Sequence, residues 1–498
     1  MKRPINSVTR PRLTRLLIFI AVVSLWTPKW PQIEANAEQF LNGFKASPDP
    51  SIPSFQPLLN DSTGQFSLGF LRVNRTQLAL AVVHVSSTEP LWQANMTRLP
   101  RWSEPTQLTF NGSLVISDPH SEVFWSTRST GDRVRLLNTS NLQVQKLDGS
   151  LSVVWQSFDF PTDTLVDNQN FTADMSLVSS NGVYFMRLGD NFLGLYANFK
   201  HEQNSDQIYW RHRALEAKAD IIAGKGRIYA RISSDGYLGM YQTEDTPVDV
   251  EAFDTFQRTV PGILRLRLEP DGNLKGYYLD GSIWVLAYQA IQDECDLPSR
   301  CGPYSLCQPG GGCSCLDNRT DHTVGECSPA GAGDLCGDAE GENEQNETWV
   351  FTRRGVDLAY KELMRFEKMG SVEECESACE RNCSCWGVVF NNASGFCYAV
   401  DYPIQTLIGV GDEGKVGYFK VWKGARKKVK GVVGLRVGLG LLGGAAVSFL
   451  AVIGVGSYRM RRRKREIGGH AAEDGGENTG RYKTLGSASF RSLELSNR

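Results

Sequence analysis

Glu269–Tyr277 reads EPDGNLKGY. Asp271, Asn273 and Tyr277 are residue types that grip a sugar: a carboxylate and an amide reach neighbouring hydroxyls as acceptor and donor, and a phenol bonds an outer one. Alternate side chains on a strand share a face, so these positions would be presented together. A second reading competes. Asp-Gly is a hairpin turn pair, and the same slot recurs at Asp190 (DNFLGLY) and Asp235 (DGYLGMY), beside Phe192 and Tyr237, where no sugar contact fits. That recurrence favours turn geometry. Other chemistry is sparse. The six His contain no H-E-x-x-H pair, and no nucleophile–base constellation or paired-carboxylate motif stands out. No enzyme activity, catalytic residue, cofactor or metal is therefore expected. A formal net charge of −2 gives no reason to expect a nucleic-acid partner.

The elements around this hairpin read as all-β from about residue 55 to 290. Short alternating runs such as Gln107–Ser117 and Arg133–Gln145 are split by Gly, Asn, Asp and Pro turns, and only Ala214–Ile222 is ambiguous. Two three-fold repeats appear. Trp92 (LWQAN), Trp125 (FWSTR) and Trp155 (VWQSF) mark the first, and the Asp190, Asp235 and Asp271 hairpins mark the second. Trp210 and Trp284 follow the outer units of the second repeat, with Phe253 standing in the middle. Each unit is a small sheet with one apolar face that cannot bury itself alone. Three around an axis bury one another, with a large aromatic from each at the centre. The expected architecture is two such prisms in tandem; a β-sandwich is the alternative.

The chain ends and the cysteines set the compartment. A basic n-region, the apolar run Leu16–Trp26 and Ala35-Asn36-Ala37 make residues 1–37 an expected signal peptide. Val437–Tyr458 has no charge and, at about 1.5 Å per residue, reaches about 33 Å against a bilayer core of about 30 Å. Arg459–Arg465 is strongly basic and is expected to stay cytoplasmic, leaving 459–498 as a short tail. Gly440 and Gly444 have the spacing that packs two such helices, which offers a homodimer as one partner. All twelve cysteines, Cys295, Cys301, Cys307, Cys313, Cys315, Cys327, Cys336, Cys375, Cys379, Cys383, Cys385 and Cys397, are clustered, which in a secreted chain implies a disulfide framework. N-glycosylation acceptors occur at Asn60, Asn74, Asn95, Asn111, Asn138, Asn170, Asn318, Asn346, Asn382 and Asn392, all on the expected outer side.

The strings SLGF (Ser67–Phe70), LWQAN (Leu91–Asn95) and VWQSFDFPTDTL (Val154–Leu165), with DECDLPSRCGPYSLC at Asp293–Cys307, resemble the plant S-domain family: S-locus glycoproteins and G-type lectin receptor-like proteins. The Trp repeat is similar to the bulb-type, mannose-binding lectins. The resemblance covers roughly residues 55 to 422. It implies a mainly β chain with tandem β-prism II domains at 38–170 and 171–290, an EGF-like module at 291–330 and a PAN/apple module at 331–424, ahead of one transmembrane helix. In the PAN module a helix is expected over Glu373–Cys383, then a strand from Ser384–Phe390. The EGF pattern implies Cys295–Cys307, Cys301–Cys313 and Cys315–Cys327; in the PAN module Cys375–Cys397, Cys379–Cys385 and Cys336–Cys383 are implied. No calcium-type acidic run precedes Cys295, so no calcium is expected.

The lectin family holds mannose with Q-x-D-x-N-x-V-x-Y. The first prism departs from this. Thr109, Asn111, Ser113, Val115 and Ser117 keep only Val115, and Leu137, Thr139, Asn141, Gln143 and Gln145 keep only Asn141. Glu269, Asp271, Asn273, Lys275 and Tyr277 keep three of the five positions. The tail carries none of the Gly-rich loop, V-A-I-K, H-R-D or D-F-G signatures of the family's kinases. The resulting expectation is a kinase-less receptor-like protein, spanning the plasma membrane once with its ectodomain outside. It would bind a mannose-type glycan or a protein ligand and signal through a receptor kinase co-receptor. A wall-adhesion or scaffold lectin without signalling is the alternative, and pollen recognition is a role the family implies.

Overall fold

The computed structural model describes residues 38–422, apart from segments at 150–151, 200–205, 215–221, 223, 244–245, 259, 261, 311, 317–326 and 328–347. All of these lie in the first of two compact units, Met1–Ala425. The expected signal peptide, the span Val437–Tyr458 and the tail fall outside the described residues. Among the described residues no helix is long and apolar enough to cross a membrane.

The first prism is three four-stranded antiparallel sheets. One runs in chain order: Phe55–Asn60, Phe66–Val73, Gln77–His84 and Pro90–Gln93. The second consists of Gln107–Phe110, Leu114–Ser117 and Val123–Ser126, with Phe44–Ala46 added at its edge. The third is Arg133–Leu136, Leu142–Gln145 and Val153–Gln156, with Phe40–Leu41 added. The chain thus visits sheets three, two and one with single strands, then completes them in the order one, two, three. Period-two alternation sends Leu108, Phe110, Leu114, Ile116, Val134, Leu142 and Val144 inward, all fully buried. Each such side chain contributes about 1.5–3 kcal/mol by leaving water.

The second prism repeats this plan. Leu177–Val178, Tyr184–Leu188, Phe192–Ala197 and Gln207–Arg213 form its first sheet. Asn170–Phe171 edges Tyr229–Ser233, Tyr237–Tyr241 and Pro247–Ala252, and Thr164–Val166 edges Leu264–Leu268, Leu274–Asp280 and Ile283–Gln289. By pairing, therefore, the second prism takes in Thr164–Val166 and Asn170–Phe171, ahead of the start at 171 that the sequence suggests. Two- and three-residue strands are too short to show alternation, so only their partners reveal them.

Every one of the six outer hairpins carries a bulge at the same place. The residue paired just before it is Trp92, Trp125 or Trp155 in the first prism. Those indoles meet edge to face, with centroids 5.8, 5.9 and 5.8 Å apart. In the second prism the same register holds Trp210, Asp249 and Tyr288. The expected aromatic trio is corrected here. Trp210 is in place, Phe253 reaches the core by stacking on Tyr288 at 5.1 Å, and Trp284 pairs with Leu279 outside the axial register. Gly276 makes the room: a Cβ there would lie 3.3 Å from the Phe253 ring. Trp284 instead faces the first prism. Its Nε1 donates to Ser87 Oγ at 3.2 Å, and the Arg265 guanidinium lies 3.9 Å from its ring centroid.

Beyond the prisms the modules are not separate beads. Gly312–Cys315 and Ser305–Gln308 of the EGF-like segment join Leu407–Gly409 and Val356–Asp357 of the PAN segment in one sheet, with Ser305–Gln308 parallel to Leu407–Gly409. The PAN segment adds a five-stranded sheet of Thr348–Arg354, Lys415–Trp422, Gly387–Asn391, Phe396–Val400 and Glu367–Lys368. Its helix, α1, spans Val372–Glu380, capped by the Ser371 side chain, which accepts from Glu374 N–H at 3.3 Å. It ends earlier than the expected Glu373–Cys383. The Asn382 carboxamide accepts from Ser384 N–H at 3.0 Å and turns the chain, so the next strand begins at Gly387. One continuous core runs from the second prism through both modules, with Tyr209 beside Tyr360 and Phe199 on Tyr402; the first prism has its own.

Candidate ligand-binding site

The hairpin at Glu269–Tyr277 is a clamped turn. Gly272 N–H donates to the Glu269 carbonyl at 3.0 Å, and Glu269 N–H to the Asn273 carbonyl at 2.9 Å. Glu269, Asp271 and Asn273 therefore wind around the turn rather than lining a strand face, and the strand begins only at Leu274. Gly272 has φ +86°, and a Cβ there would sit 3.0 Å from the Tyr184 ring, so the turn needs glycine. Tyr209 O–H donates to the Gly272 carbonyl at 2.5 Å, and the Asn181 amide to the Pro270 carbonyl at 2.8 Å.

The three candidate side chains are engaged within the protein. Asp271 Oδ1 accepts from Asn273 N–H at 2.8 Å, and its Oδ2 pairs with Lys275 at 3.2 Å. Asn273 is 3% exposed; its Nδ2 donates to the Ile291 carbonyl at 2.8 Å and its Oδ1 accepts from Ile291 N–H at 3.1 Å. Tyr277 O–H donates to Glu269 Oε1 at 2.7 Å, and Arg265 lies 5.1 Å over its ring. Burial first, and then the bonded Glu269, push that phenol above its usual range. Asn141 makes a matching clasp in the first prism, with Oδ1 receiving Ser157 O–H at 3.3 Å and Phe158 N–H at 3.4 Å. The retained asparagines hold the hairpin to the chain just beyond the following strand, and their recurrence at 141 and 273 was the available signal.

The faces of the first prism are similarly self-satisfied. Ser113 Oγ contacts Ser126 and Thr127 hydroxyls. On the third sheet Arg133 donates to Gln145 at 2.9 Å, Gln145 to Gln143 at 2.7 Å, Gln143 to Gln156 at 3.2 Å, and Gln156 to Asp159 at 2.9 Å. That relay ends at the rim of a cleft of about 490 Å³, whose floor is the Trp92, Trp125 and Trp155 cluster. Asp159 and Phe160 from the linker, Asp174 and Ser176 from the second prism, and Asn95 and Arg128 from the first are among the residues that line it. Asn95 and Arg128 each stand three residues after an axial tryptophan, and Arg128 is held at φ +49°. Sequence reasoning treated the three tryptophans as core and did not find this cleft, because Asp159, Phe160 and Asp174 come from the linker and the second prism. A smaller cleft of about 350 Å³ between the prisms is lined by His84, Ser86, Gly262 and Gly281. No three His, Cys, Asp or Glu among the described residues are grouped to hold a metal.

The structure pairs Cys295 with Cys307, Cys301 with Cys313, Cys315 with Cys327, Cys375 with Cys397 and Cys379 with Cys385, the same pairs the family pattern implies. Cys383 is also disulfide-bonded, and Cys336 lies outside the described residues. Of the glycan acceptors, Asn74, Asn95, Asn111, Asn138, Asn170, Asn382 and Asn392 are exposed and Asn60 is half-buried; Asn318 and Asn346 lie outside the described residues.

Comparison with known proteins fits this layout. The family model for D-mannose binding lectin matches residues 79–183, that for the S-locus glycoprotein domain matches 239–319, and that for the PAN domain matches 352–416. These three domains in this order define the S-domain class. A PAN domain-containing protein of Arabidopsis thaliana is 53% identical over 490 residues, covering 97% of this chain and 98% of that protein. The chain belongs to the family of that PAN domain-containing protein. A G-type lectin S-receptor-like serine/threonine-protein kinase from the same plant is 27% identical over 390 residues, which cover 73% of this chain and 44% of the kinase. Among solved structures, the two-domain Scilla campanulata agglutinin aligns over 51% of this chain and 100% of its own, at 14% identity and a TM-score of 0.19.

Proposed function

We propose that this protein is a cell-surface recognition protein that spans the plasma membrane once and binds a glycan or protein ligand through its extracellular prisms and PAN module. The observation that carries the reading is its make-up: matches to lectin, S-locus glycoprotein and PAN domains in a chain similar to a G-type lectin S-receptor-like kinase, beside a sequence without kinase signatures. In this reading phosphorylation comes from a partner receptor kinase, and the protein itself is not an enzyme. Clustered disulfides and exposed glycan acceptors support an oxidising, extracellular setting. In this reading the hairpin at Asp271, Asn273 and Tyr277 serves as a turn and clasp rather than as the ligand site, which its bonds within the protein support.

The test is affinity purification of the tagged full-length protein from plant membranes, with a glycan array run on the same material. Recovery of a receptor kinase that depends on the PAN module supports the proposal. Retention on wall glycans with no kinase partner would instead make it an adhesion or scaffold lectin.

A further inference from the structure

Asn95, in the acceptor Asn95-Met96-Thr97, is itself part of the wall of the tryptophan cleft. Its segment is tied down. Thr97 donates to the Phe124 carbonyl from its N–H at 3.1 Å and its hydroxyl at 3.3 Å, so Asn95 is held beside the neighbouring sheet of the prism. Phe160 lines the same cleft and is 55% exposed although its ring and carbonyl are both held. Its ring stacks on Trp155 at 5.8 Å with an 8° tilt, and its carbonyl accepts from Trp92 Nε1 at 2.8 Å. A rigid aromatic left half in water, in a cleft also lined by the exposed carboxylate of Asp174, is a surface that fits the apolar face of a pyranose and its hydroxyl and acetamido groups.

We propose that the glycan carried on Asn95 folds into this cleft and is held there against Phe160 and Asp174. The space, about 490 Å³, lies within the range of small-ligand pockets, about 300–1,000 Å³. Tethering decides the occupant. A sugar attached at the rim is present at an effective concentration on the order of millimolar, so contacts too weak to capture a free sugar suffice to hold it. The cleft is then a site for the protein's own modification, and free glycans meet it already filled. This rests on the secretory part of the functional reading, since only a chain in that pathway is glycosylated.

The experiment is site-resolved deglycosylation of the native full-length protein, made in cells that add oligomannose chains. An endoglycosidase that cuts between the first two N-acetylglucosamines is used, and each site is followed by mass spectrometry. Asn138, on an exposed hairpin turn, is the reference. The expected result is release at Asn95 at least about tenfold slower than at Asn138, equal rates after denaturation, and a return towards the Asn138 rate in Phe160→Ala with Asp174→Ala, two exposed positions outside the buried clusters. As a second readout, Thr97→Val, which removes the acceptor and one hydroxyl bond but keeps the N–H bond to the Phe124 carbonyl, should raise quenching of tryptophan fluorescence by acrylamide. A bare Asn95 among otherwise occupied acceptors overturns the proposal, as does release as fast as at Asn138 or slow release that the double variant leaves unchanged. Absence of glycan from all ten acceptors would defeat the secretory reading together with it.

Discussion

Replacing Asn273 separates a structural clasp from a sugar ligand. The carboxamide is 3% exposed and closes two bonds with the Ile291 backbone, at 2.8 and 3.1 Å. Asn273→Ala leaves a buried N–H and a buried C=O without partners. At about 1–3 kcal/mol each, the cost is about 2–5 kcal/mol once partial relaxation is allowed. Asn273→Asp should cost nearly as much: its carboxylate still accepts from Ile291 N–H but now faces the Ile291 carbonyl. Asp271→Ala removes one turn bond and an exposed pair with Lys275, so about 0.5–1.5 kcal/mol is lost. The assay is native-state hydrogen exchange at the Ile291 amide. With tenfold for every 1.4 kcal/mol, Asn273→Ala should speed it by about thirtyfold or more, and Asp271→Ala by about tenfold at most. Exchange within threefold of the parent, combined with loss of a mannose signal on a glycan array, would refute the clasp and restore the hairpin as a binding site.

Three further outcomes follow from the packing and the charges. Trp125→Ala opens the axis of the first prism and should cost about 3–5 kcal/mol in urea unfolding of that prism; a loss under 1 kcal/mol would show that the indole cluster is not core. Glu89→Gln leaves the Arg265 guanidinium, 4% exposed and 2.5 Å from Glu89, without its countercharge. Discounted for the exposed glutamate, the cost is about 1–3 kcal/mol, read as a lowered Tm that added salt does not restore. For Asp357, burial works to raise the pKa, but the bonds to Lys361 and Lys415 win and hold it below the usual carboxylate range. A depressed folded pKa gives stability that is present above about pH 4 and lost as pH falls through the folded value. Asp357→Asn should therefore lower Tm at neutral pH and shrink the fall in Tm on acidification; an unchanged acid limb would contradict the assignment.

The repeat of the first prism was legible because its axial residue is tryptophan three times over, and a large aromatic at a fixed period leaves few alternatives. The second axis was not, because Asp249 and Tyr288 hold two of its slots and the bulge that defines those slots exists only once strands pair. Trp284 was misplaced because the pairing register of its strand is not visible in the sequence: Trp284 lies opposite Leu279, and the axial slot opposite Gly276 comes four residues later, at Tyr288. The hairpin's turn chemistry was readable from Asp271-Gly272, yet whether Asn273 faced a ligand or Ile291 depended on a contact 18 residues away. The EGF-like and PAN spacings suggested two modules, but a parallel pairing between Leu306 and Leu407 crosses between them and has no local signature.

The distribution of cores says where the molecule gives way first. The second prism, the EGF-like segment and the PAN segment share one buried cluster, so none of them can open without exposing the others. The first prism's cluster takes in Val166 of the second prism and packs against Ile263 and Trp284, and the two prisms are further joined by the ion pairs of Glu89 with Arg265 and Arg267 and by Trp284 Nε1 on Ser87. The tryptophan cleft lies across that joint, since Asp174 and Ser176 belong to the second prism. Weakening the joint must therefore loosen the cleft as well. Glu89→Gln, at a residue that does not itself line the cleft, should speed enzymatic release of the Asn95 glycan while leaving release at Asn138 unchanged. If release at Asn95 stays slow although the Tm falls, the sugar is held by the first prism alone.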